Sequence, residues 1–214
     1  NYCLKAFKDH RYIKVDGKPF FLLYDAKALP NSHHFFDLWN KLAKQNGFPG
    51  IHFVGINEAN DPDYSKVLGR GYDAVSHGVW DPMQKIKGYY KMVIEKKIRD
   101  KIDWLVPIDK YKYKDFIKYT FNETDRLENV YPNIIPGWDR SPRSGKKAQI
   151  VYGSTPKLWK EHVQEAVDMV KDKENEHKII ILRSWNEWGE GNYVEPDERW
   201  GTAYLDVLKE VLFG

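Results

Sequence analysis

Short apolar segments alternate with amphipathic segments along this chain, and this alternation restricts its fold more than any other feature of the sequence. Continuous apolar runs predict about five buried sheet strands, at residues 18–24, 51–56, 72–75, 133–138 and 178–184. Amphipathic stripes predict helices, the clearest of which lie at residues 33–45, from Thr155 onward and at residues 202–212. Repeated strand–helix units are typical of a parallel sheet whose strands are buried on both faces. The sequence therefore predicts an α/β fold.

Local signals predict how some of these elements begin and pack. Asn31 or Ser32 is expected to cap the helix at residues 33–45, because both side chains can accept a hydrogen bond from a backbone N–H of the first turn. Residues 81–122 are the hardest part of the chain to interpret and are predicted to contain one or two helices, including residues 113–121. The apolar face of the helix at residues 33–45 is predicted to consist of Phe35, Leu38, Trp39 and Leu42.

Charge and composition exclude several classes of protein. The 214 residues include 34 Lys and Arg and 31 Asp and Glu, which gives a net charge of +3, and only the short run at residues 140–147 is basic. Such mixed charge argues against nucleic acid as the main partner. No apolar run reaches the roughly 18 residues that indicate a membrane span. We therefore expect a globular protein, and its length suits one domain over residues 1–214.

The cysteine content and the histidine spacing restrict the cofactors and the location. Cys3 is the single cysteine, which rules out an internal disulfide and favours a reducing compartment, so a cytoplasmic location is predicted. The chain begins at Asn1 and not at Met, and we expect the natural protein to extend upstream. His33 and His34 are adjacent and lack the spacing of metal ligands. With no glycine-rich phosphate loop either, no metal or cofactor is predicted, and the oligomeric state stays open.

Residues 185–197 contain the densest functional signal in the sequence. They directly follow the strand predicted at residues 178–184, and parallel βα proteins place their active sites at the carboxyl ends of strands. Glu195 precedes Pro196 and is interpreted more simply as a cap of the last helix, together with Asp197. The candidate functional residues in this segment are Trp185, Asn186, Glu187, Trp188, Glu190 and Tyr193.

Glu187 and Glu190 are the candidate catalytic pair. The charge of one carboxylate raises the pKa of its neighbour, so that one group can hold a proton while the other acts as a base. Cleavage of a glycosidic bond needs such a pair. Trp185 and Trp188 would offer stacking surfaces to sugar rings, and Asn186 would bind a sugar hydroxyl. The alternative is structural: the two glutamates form salt bridges at a strand end or begin a helix.

The other predicted strand ends also carry polar or aromatic residues, which would meet at one mouth if the strands are parallel. Trp138 is the strongest candidate, because a tryptophan at a strand end beside a glycine is well placed as a sugar platform. For each residue taken alone a structural role is favoured, with His77 as a core histidine and Asp139 as the ion-pair partner of Arg140 or Arg143. The remaining strand-end residues are Tyr24, Asp25, Asn57, Glu58, Trp80 and Asp81.

The segment at residues 185–197, followed by Gly201 and Tyr204, resembles the signature of the WbsX-like proteins. These are glycosyltransferases of lipopolysaccharide and O-antigen biosynthesis, and they are related to glycoside hydrolase family 99, the endo-α-mannosidases and endomannanases. The resemblance extends over nearly the whole chain. Further matches, in the order and at the spacing of the family, are residues 11–19, 136–139, 141–143 and 153–156.

The resemblance implies a (β/α)₈ barrel and a specific chemistry. Glu187 matches the carboxylate that deprotonates the sugar 2-hydroxyl, and Glu190 matches the general acid/base that protonates the leaving oxygen and then activates water or an acceptor. This route passes through a 1,2-anhydro sugar and retains configuration. Tyr24 matches a tyrosine that contacts the substrate. The candidate residues for binding an oligosaccharide or polysaccharide are therefore Trp185, Asn186, Trp188, Tyr193, Trp138, Asp139 and Tyr24.

The resemblance has two departures. The run at residues 76–80 differs from the usual family run, and the amino-terminal half of the family is absent. Five strands cannot close an eight-stranded barrel, so we expect the carboxyl-terminal part of a barrel that needs further strands for activity. The family name favours transfer, whereas the absence of a nucleotide-sugar site favours hydrolysis or transglycosylation. A non-catalytic glycan-binding module is the third alternative.

Overall fold

The computed structural model describes residues 2–57 and 64–214. Within them the strands are β1 (Lys14–Val15), β2 (Lys18–Leu23), β3 (His52–Asn57), β4 (Ala74–His77), β5 (Asp109–Lys112), β6 (Val130–Tyr131), β7 (Asn133–Ile134), β8 (Trp138–Asp139), β9 (Gln149–Tyr152), β10 (Ile181–Leu182), β11 (Asn186–Glu187) and β12 (Asn192–Tyr193). The α-helices are α1 (Leu4–Phe7), α2 (Ser32–Gln45), α3 (Ser65–Leu68), α4 (Trp80–Lys87), α5 (Tyr89–Lys101), α6 (Tyr113–Ile117), α7 (Ser141–Ser144), α8 (Pro156–Val170) and α9 (Ala203–Phe213). None of these helices has both the length and the apolar character that crossing a membrane requires.

The main sheet is parallel, and its strand order follows the chain. β2, β3, β4 and β6 pair in that order, and β1 adds an antiparallel hairpin to β2. Pro132 separates β6 from β7, and β7 pairs in parallel with β10. Sequential order is that of a barrel segment, whereas a doubly wound sheet reverses its order. The α/β prediction is confirmed, and closure into an eight-stranded barrel stays a prediction.

Helix α2 packs against the main sheet through its aromatic residues. The rings of Phe36 on α2 and Phe53 on β3 lie 4.3 Å apart between centroids, and both side chains are buried. The predicted apolar face of this helix is partly wrong, because Leu38 and Leu42 are each 47% exposed.

A second core lies around α8 and α9. Trp159 on α8 is fully buried, and its indole N–H donates to the carbonyl of Tyr204 on α9 at 3.1 Å. Val163 and Ala166 are buried on the same face of α8. This packing anchors the chain segment that leads into α9.

Helix α8 begins as the sequence predicts, whereas α2 does not. Thr155 caps α8 by accepting a hydrogen bond from the backbone N–H of Leu158 at 3.3 Å. At α2, Asn31 adopts a left-handed conformation with a φ of 50° and makes no side-chain cap. The Ser32 hydroxyl instead donates to the carbonyl of Arg70 at 2.8 Å. Long-range contacts therefore replace the predicted local cap.

The strand predicted at residues 133–138 also needs correction. It ends at Ile134, and Trp138 and Asp139 belong to β8, which pairs antiparallel with β9. β9 also pairs in parallel with β5, which gives a second sheet with the order β5–β9–β8. β5 alternates buried and exposed side chains, as at Tyr111 and Lys112, so it lacks a continuous apolar run. Trp138 therefore reaches the candidate site from this second sheet.

His52, at the start of β3, couples the stability of the fold to pH. The side chain is buried, and its Nε2 lies 2.9 Å from the hydroxyl of Tyr131. Burial lowers the pKa of His52 to about 4, an effect that Asp73 opposes and His177 reinforces. The unfolded chain binds this proton near pH 6.5, whereas the folded chain binds it only near pH 4. The contribution of neutral His52 to the stability is therefore complete above pH 6.5, and it is lost progressively as the pH falls towards 4.

We expect His52→Asn to weaken this pH dependence. Between pH 4 and 6.5, the slope of the unfolding free energy should decrease by about 1.4 kcal/mol per pH unit, which is the contribution of one titrating group. Urea unfolding of both proteins at several pH values measures the two slopes. Above pH 7 the slopes should coincide, which serves as the control. Identical slopes below pH 6.5 would contradict the assignment.

Candidate active site

A tight hairpin of β11 and β12 directly follows β10. In its ladder Asn186 lies opposite Tyr193, and Glu187 lies opposite Asn192. Gly191 turns the chain with a φ of 55°, a left-handed conformation that glycine adopts at little cost. The segment that the sequence singled out is therefore one compact hairpin that follows the carboxyl end of β10, which pairs in parallel with β7.

Two carboxylates hold the aromatic side chains of this hairpin. The rings of Trp188 and Tyr193 stack with their centroids 3.7 Å apart and their planes 15° apart. The Trp188 indole N–H donates to Glu195 at 2.6 Å, and the Tyr193 hydroxyl donates to Asp197 at 3.0 Å. Helix α9 begins at Ala203 without a side-chain cap, so the interpretation of both carboxylates as its caps is wrong. They fix an aromatic surface of which Trp188 stays 48% exposed.

Glu190 is buried in a network of hydrogen-bond donors. One carboxylate oxygen accepts the indole N–H of Trp138 at 2.8 Å. The other oxygen lies 3.0 Å from a guanidinium nitrogen of Arg143 and 3.8 Å from Nε of Arg140. Asp139, which the sequence paired with these arginines, instead accepts the backbone N–H of Ser141 at 2.8 Å. Burial and these contacts hold the Glu190 carboxylate in one orientation against Trp138.

Arg183 links Tyr24 to this network and was not among the predicted site residues. Its guanidinium donates to the Tyr24 hydroxyl at 3.1 Å and lies 5.5 Å from the centre of that ring. The same guanidinium lies 5.9 Å from the centre of the Trp138 ring. Tyr24 and Trp138 therefore lie near the same cation, although 114 residues separate them in the chain (138 − 24). The only sequence signal for Arg183 is a charged residue at the end of a strongly apolar strand.

The predicted site residues fall into two groups. A cavity of about 580 Å³ adjoins the hairpin, and Glu187 and Glu190 are not among the residues that line it. Glu190 instead contacts Trp138, which forms part of the cavity wall. Glu187 is half-buried, and within the described residues no cation lies at ion-pair distance from it, whereas Trp185, Asn186 and Tyr24 are exposed. The predicted residues that do line the cavity are Trp138, Asp139, Trp188 and Tyr193.

The other strand ends contribute less to this surface. His77 at the end of β4 is buried, and its Nε2 lies 3.3 Å from the buried carboxylate of Asp125. Burial lowers the pKa of His77, but the Asp125 carboxylate more than offsets this, so that the pKa is raised. His77 is therefore a core histidine, as the structural alternative predicted. Glu58 lies outside the described residues.

A metal site in a protein needs several ligating side chains close together. Across residues 2–57 and 64–214, no group of three or more His, Cys, Asp or Glu side chains is placed to hold a metal ion.

The fold and the hairpin define the class of protein. A solved structure described as a glycoside hydrolase-like protein matches 96% of this chain and 57% of its own length, with a TM-score of 0.65 and 18% identity. The GH99 endo-alpha-mannosidase from Bacteroides thetaiotaomicron matches 99% of this chain and 58% of its own length, with a TM-score of 0.52 and 14% identity. At these identities the likeness concerns the fold alone, and the chain is an α/β protein that shares the fold of part of these two structures.

Within this class, the chain belongs to the family described as Glycosyltransferase WbsX, whose model matches residues 1–208. The resemblance expected from the sequence is thereby confirmed. Two relatives are the proteins WxcX, described as uncharacterized, from two strains of Xanthomonas campestris pv. campestris. Each is 25% identical over 213 residues, which covers 97% of this chain and 29% of the relative. The chain thus spans about three tenths of the length of the curated relatives that it matches.

Proposed function

We propose that this chain forms the glycan-processing part of an enzyme that cleaves or transfers a glycosidic bond, with Glu187 and Glu190 as its catalytic carboxylates. One observation carries the proposal. The hairpin that contains both glutamates also presents the exposed Trp188 indole, stacked on Tyr193, beside a cavity of about 580 Å³. A carboxylate pair next to an aromatic platform suits a substrate made of sugar rings. Membership of a family described as glycosyltransferases supports the same class of substrate.

The proposed reaction proceeds in two balanced steps. Glu187 takes the proton of the sugar 2-hydroxyl, the 2-oxygen attacks the anomeric carbon, and the bond to the leaving oxygen breaks while Glu190 protonates that oxygen. Glu190 then takes a proton from water or an acceptor hydroxyl, whose oxygen opens the 1,2-anhydro ring, and Glu187 returns its proton to the 2-oxygen. Each step inverts the anomeric carbon, so the configuration is retained overall.

The contacts of Glu190 add a requirement to this mechanism. One of its oxygens lies 3.0 Å from Arg143, and a protonated carboxyl oxygen would present its hydrogen to the hydrogens of the guanidinium. Proton donation from that oxygen therefore requires Arg143 to move away. Its side chain is 65% exposed and can turn into solvent when the substrate arrives.

Product analysis of the complete protein tests the proposal and separates hydrolysis from transfer. Oligosaccharides of surface polysaccharides are the substrates, and a labelled sugar alcohol or monosaccharide is the acceptor. New reducing ends without labelled product indicate hydrolysis, whereas labelled glycosides indicate transfer. Binding without either product would contradict the enzyme proposal and favour the glycan-binding module.

We expect Trp188→Ala to weaken glycan binding by roughly tenfold, which corresponds to about 1.4 kcal/mol. The substitution removes the exposed ring of the platform and leaves the two glutamates in place. Isothermal titration with an oligosaccharide that the protein binds measures the effect. Trp104→Ala is the matched control, because Trp104 is 72% exposed and lies outside the cavity lining. Equal losses in the two variants would argue against a platform at Trp188.

A further inference from the structure

A second cavity, of about 480 Å³, lies where α4 and α5 face the second sheet. Side chains from the two helices form its apolar wall, and cationic side chains form its polar wall. Representative lining residues are Trp80, Tyr89 and Met92 on the apolar wall and Lys96, Arg99 and Lys147 on the cationic wall.

This cavity adjoins the Glu190 network through two of its lining residues. The ring of Trp80 meets that of Trp138 edge to face, with the centroids 6.2 Å apart. On the other side, the Gln149 side-chain oxygen accepts a hydrogen bond from Arg140 at 3.3 Å. Trp138 and Arg140 both contact Glu190. One layer of side chains therefore separates the second cavity from the proposed catalytic carboxylate.

The lining carries uncompensated positive charge. Of the two carboxylates in the lining, Asp109 pairs with Arg99 at 3.2 Å and also with Lys87, and Asp100 pairs with Lys147 at 3.5 Å. Lys96 makes no ion pair with any residue in the described part of the chain. An anion that enters the cavity would therefore meet a lysine whose charge the protein does not neutralise.

Arg99 is a second, independent sign of a missing partner. It is only 5% exposed, and its two terminal nitrogens are held by Asp109 and by the carbonyl of Pro107 at 3.1 Å. Its Nε has no hydrogen-bond partner among the described residues. Buried donors in proteins are nearly always satisfied, because an unsatisfied one is costly. Arg99 lines the cavity, but its Nε has almost no accessible surface, so an oxygen of a ligand would supply the missing acceptor only after a shift of this side chain.

We infer that this cavity binds a sugar residue with an anionic substituent, its ring against Trp80 and Tyr89 and its charged group on the side of Lys96 and Arg99. The aromatic rings suit the C–H faces of a sugar, and the cations suit a carboxylate or a phosphate. The inference rests on the proposed function in taking the ligand to be a sugar, and it makes the substrate an acidic or phosphorylated glycan.

Binding by the complete protein tests the inference without any need for turnover. The probes are glucuronate, glucose 1-phosphate, glucose and inorganic phosphate, titrated with detection by NMR. At least one anionic sugar should bind at least tenfold more tightly than both glucose and phosphate. Preference for glucuronate would identify a uronic acid, and preference for glucose 1-phosphate would identify a phosphorylated sugar.

Lys96→Glu should weaken this binding at least tenfold. Lys97→Glu, the same charge change one position along α5 and outside the lining, should change it less than twofold.

Several outcomes would overturn the inference. Phosphate binding as tight as that of glucose 1-phosphate would indicate a plain anion site, and equal binding of glucose would remove the role of charge. Equal losses of binding in the Lys96 and Lys97 variants would indicate a general electrostatic effect of the surface charge and not binding in this cavity. Glu187→Gln should leave the binding of anionic sugars unchanged. If anionic sugars bind but no glycan is turned over, the proposed function fails and this inference stands. If glycans are turned over but anionic sugars do not bind, this inference fails and the proposed function stands.

Discussion

Replacing Glu187 by glutamine is expected to reduce turnover by about 10²–10⁴-fold, the range typical of a lost general base. Glutamine keeps the shape of the side chain but cannot take the proton of a 2-hydroxyl. Glu187 is half-buried opposite Asn192 in the hairpin, so the isosteric change should leave the fold intact. Steady-state kinetics on a glycan substrate measure turnover, and calorimetric titration measures binding, which we expect to stay within about threefold.

Glu161→Gln is the matched control for this variant. Glu161 is exposed on α8 and does not belong to the hairpin. The same change from carboxylate to amide should therefore leave turnover unaltered. If Glu187→Gln retains more than half of the wild-type rate, Glu187 is not the base. If it loses glycan binding as well, the residue acts in positioning the substrate.

The turn within the candidate site could be predicted because its signals are local. The run of Ile and Leu before it predicts a buried strand at residues 178–184, whereas the structure forms only the short, half-buried β10 there. Gly191 marks the turn. Trp188 and Tyr193 lie five residues apart and meet within the same hairpin. No contact with a distant part of the chain is needed to bring these residues together, but the sequence predicted only the turn and not the pairing of β11 with β12.

The remainder of the site depends on contacts between distant segments, which no local pattern specifies. Glu190 meets Trp138 and Arg143 across about fifty residues of chain, and the sequence had paired the arginine with Asp139. The second sheet that holds Trp138 is built from short strands, of which β5 is mostly polar and β9 has an apolar run of only three residues, 150–152. Its existence follows from the parallel pairing of β5 with β9, whose first residues, Asp109 and Gln149, are forty positions apart (149 − 109).

The same distinction explains the helix caps. Thr155 caps α8 through a backbone N–H three residues away, so the local sequence contains the whole signal. Ser32 is drawn to the carbonyl of Arg70, thirty-eight residues further on, and this tertiary contact replaces the local cap that its residue type predicts.

Replacing Glu190 by glutamine should produce a loss that depends on the leaving group. On an unactivated glycan we expect turnover to fall by about 10²–10⁴-fold, because the leaving oxygen no longer receives a proton. On an aryl glycoside with an acidic phenol as leaving group, no proton is needed and the loss should stay within about tenfold. Glu187→Gln should be slow on both substrates, since formation of the anhydro sugar needs the base whatever the leaving group.

Arg143→Gln controls for the broken ion pair in this comparison. Glu190→Gln removes both the proton and the contact at 3.0 Å, whereas Arg143→Gln removes the contact and keeps the carboxyl group. If the loss on the unactivated glycan comes from the missing proton, the Arg143 variant will not reproduce the dependence on the leaving group. If both variants show the same dependence, or if Glu190→Gln is equally slow on both substrates, Glu190 acts by positioning Trp138 and not as the acid. That result would leave the proton donor to be sought among the other carboxylates of the hairpin, of which Glu195 is already bound to the Trp188 indole.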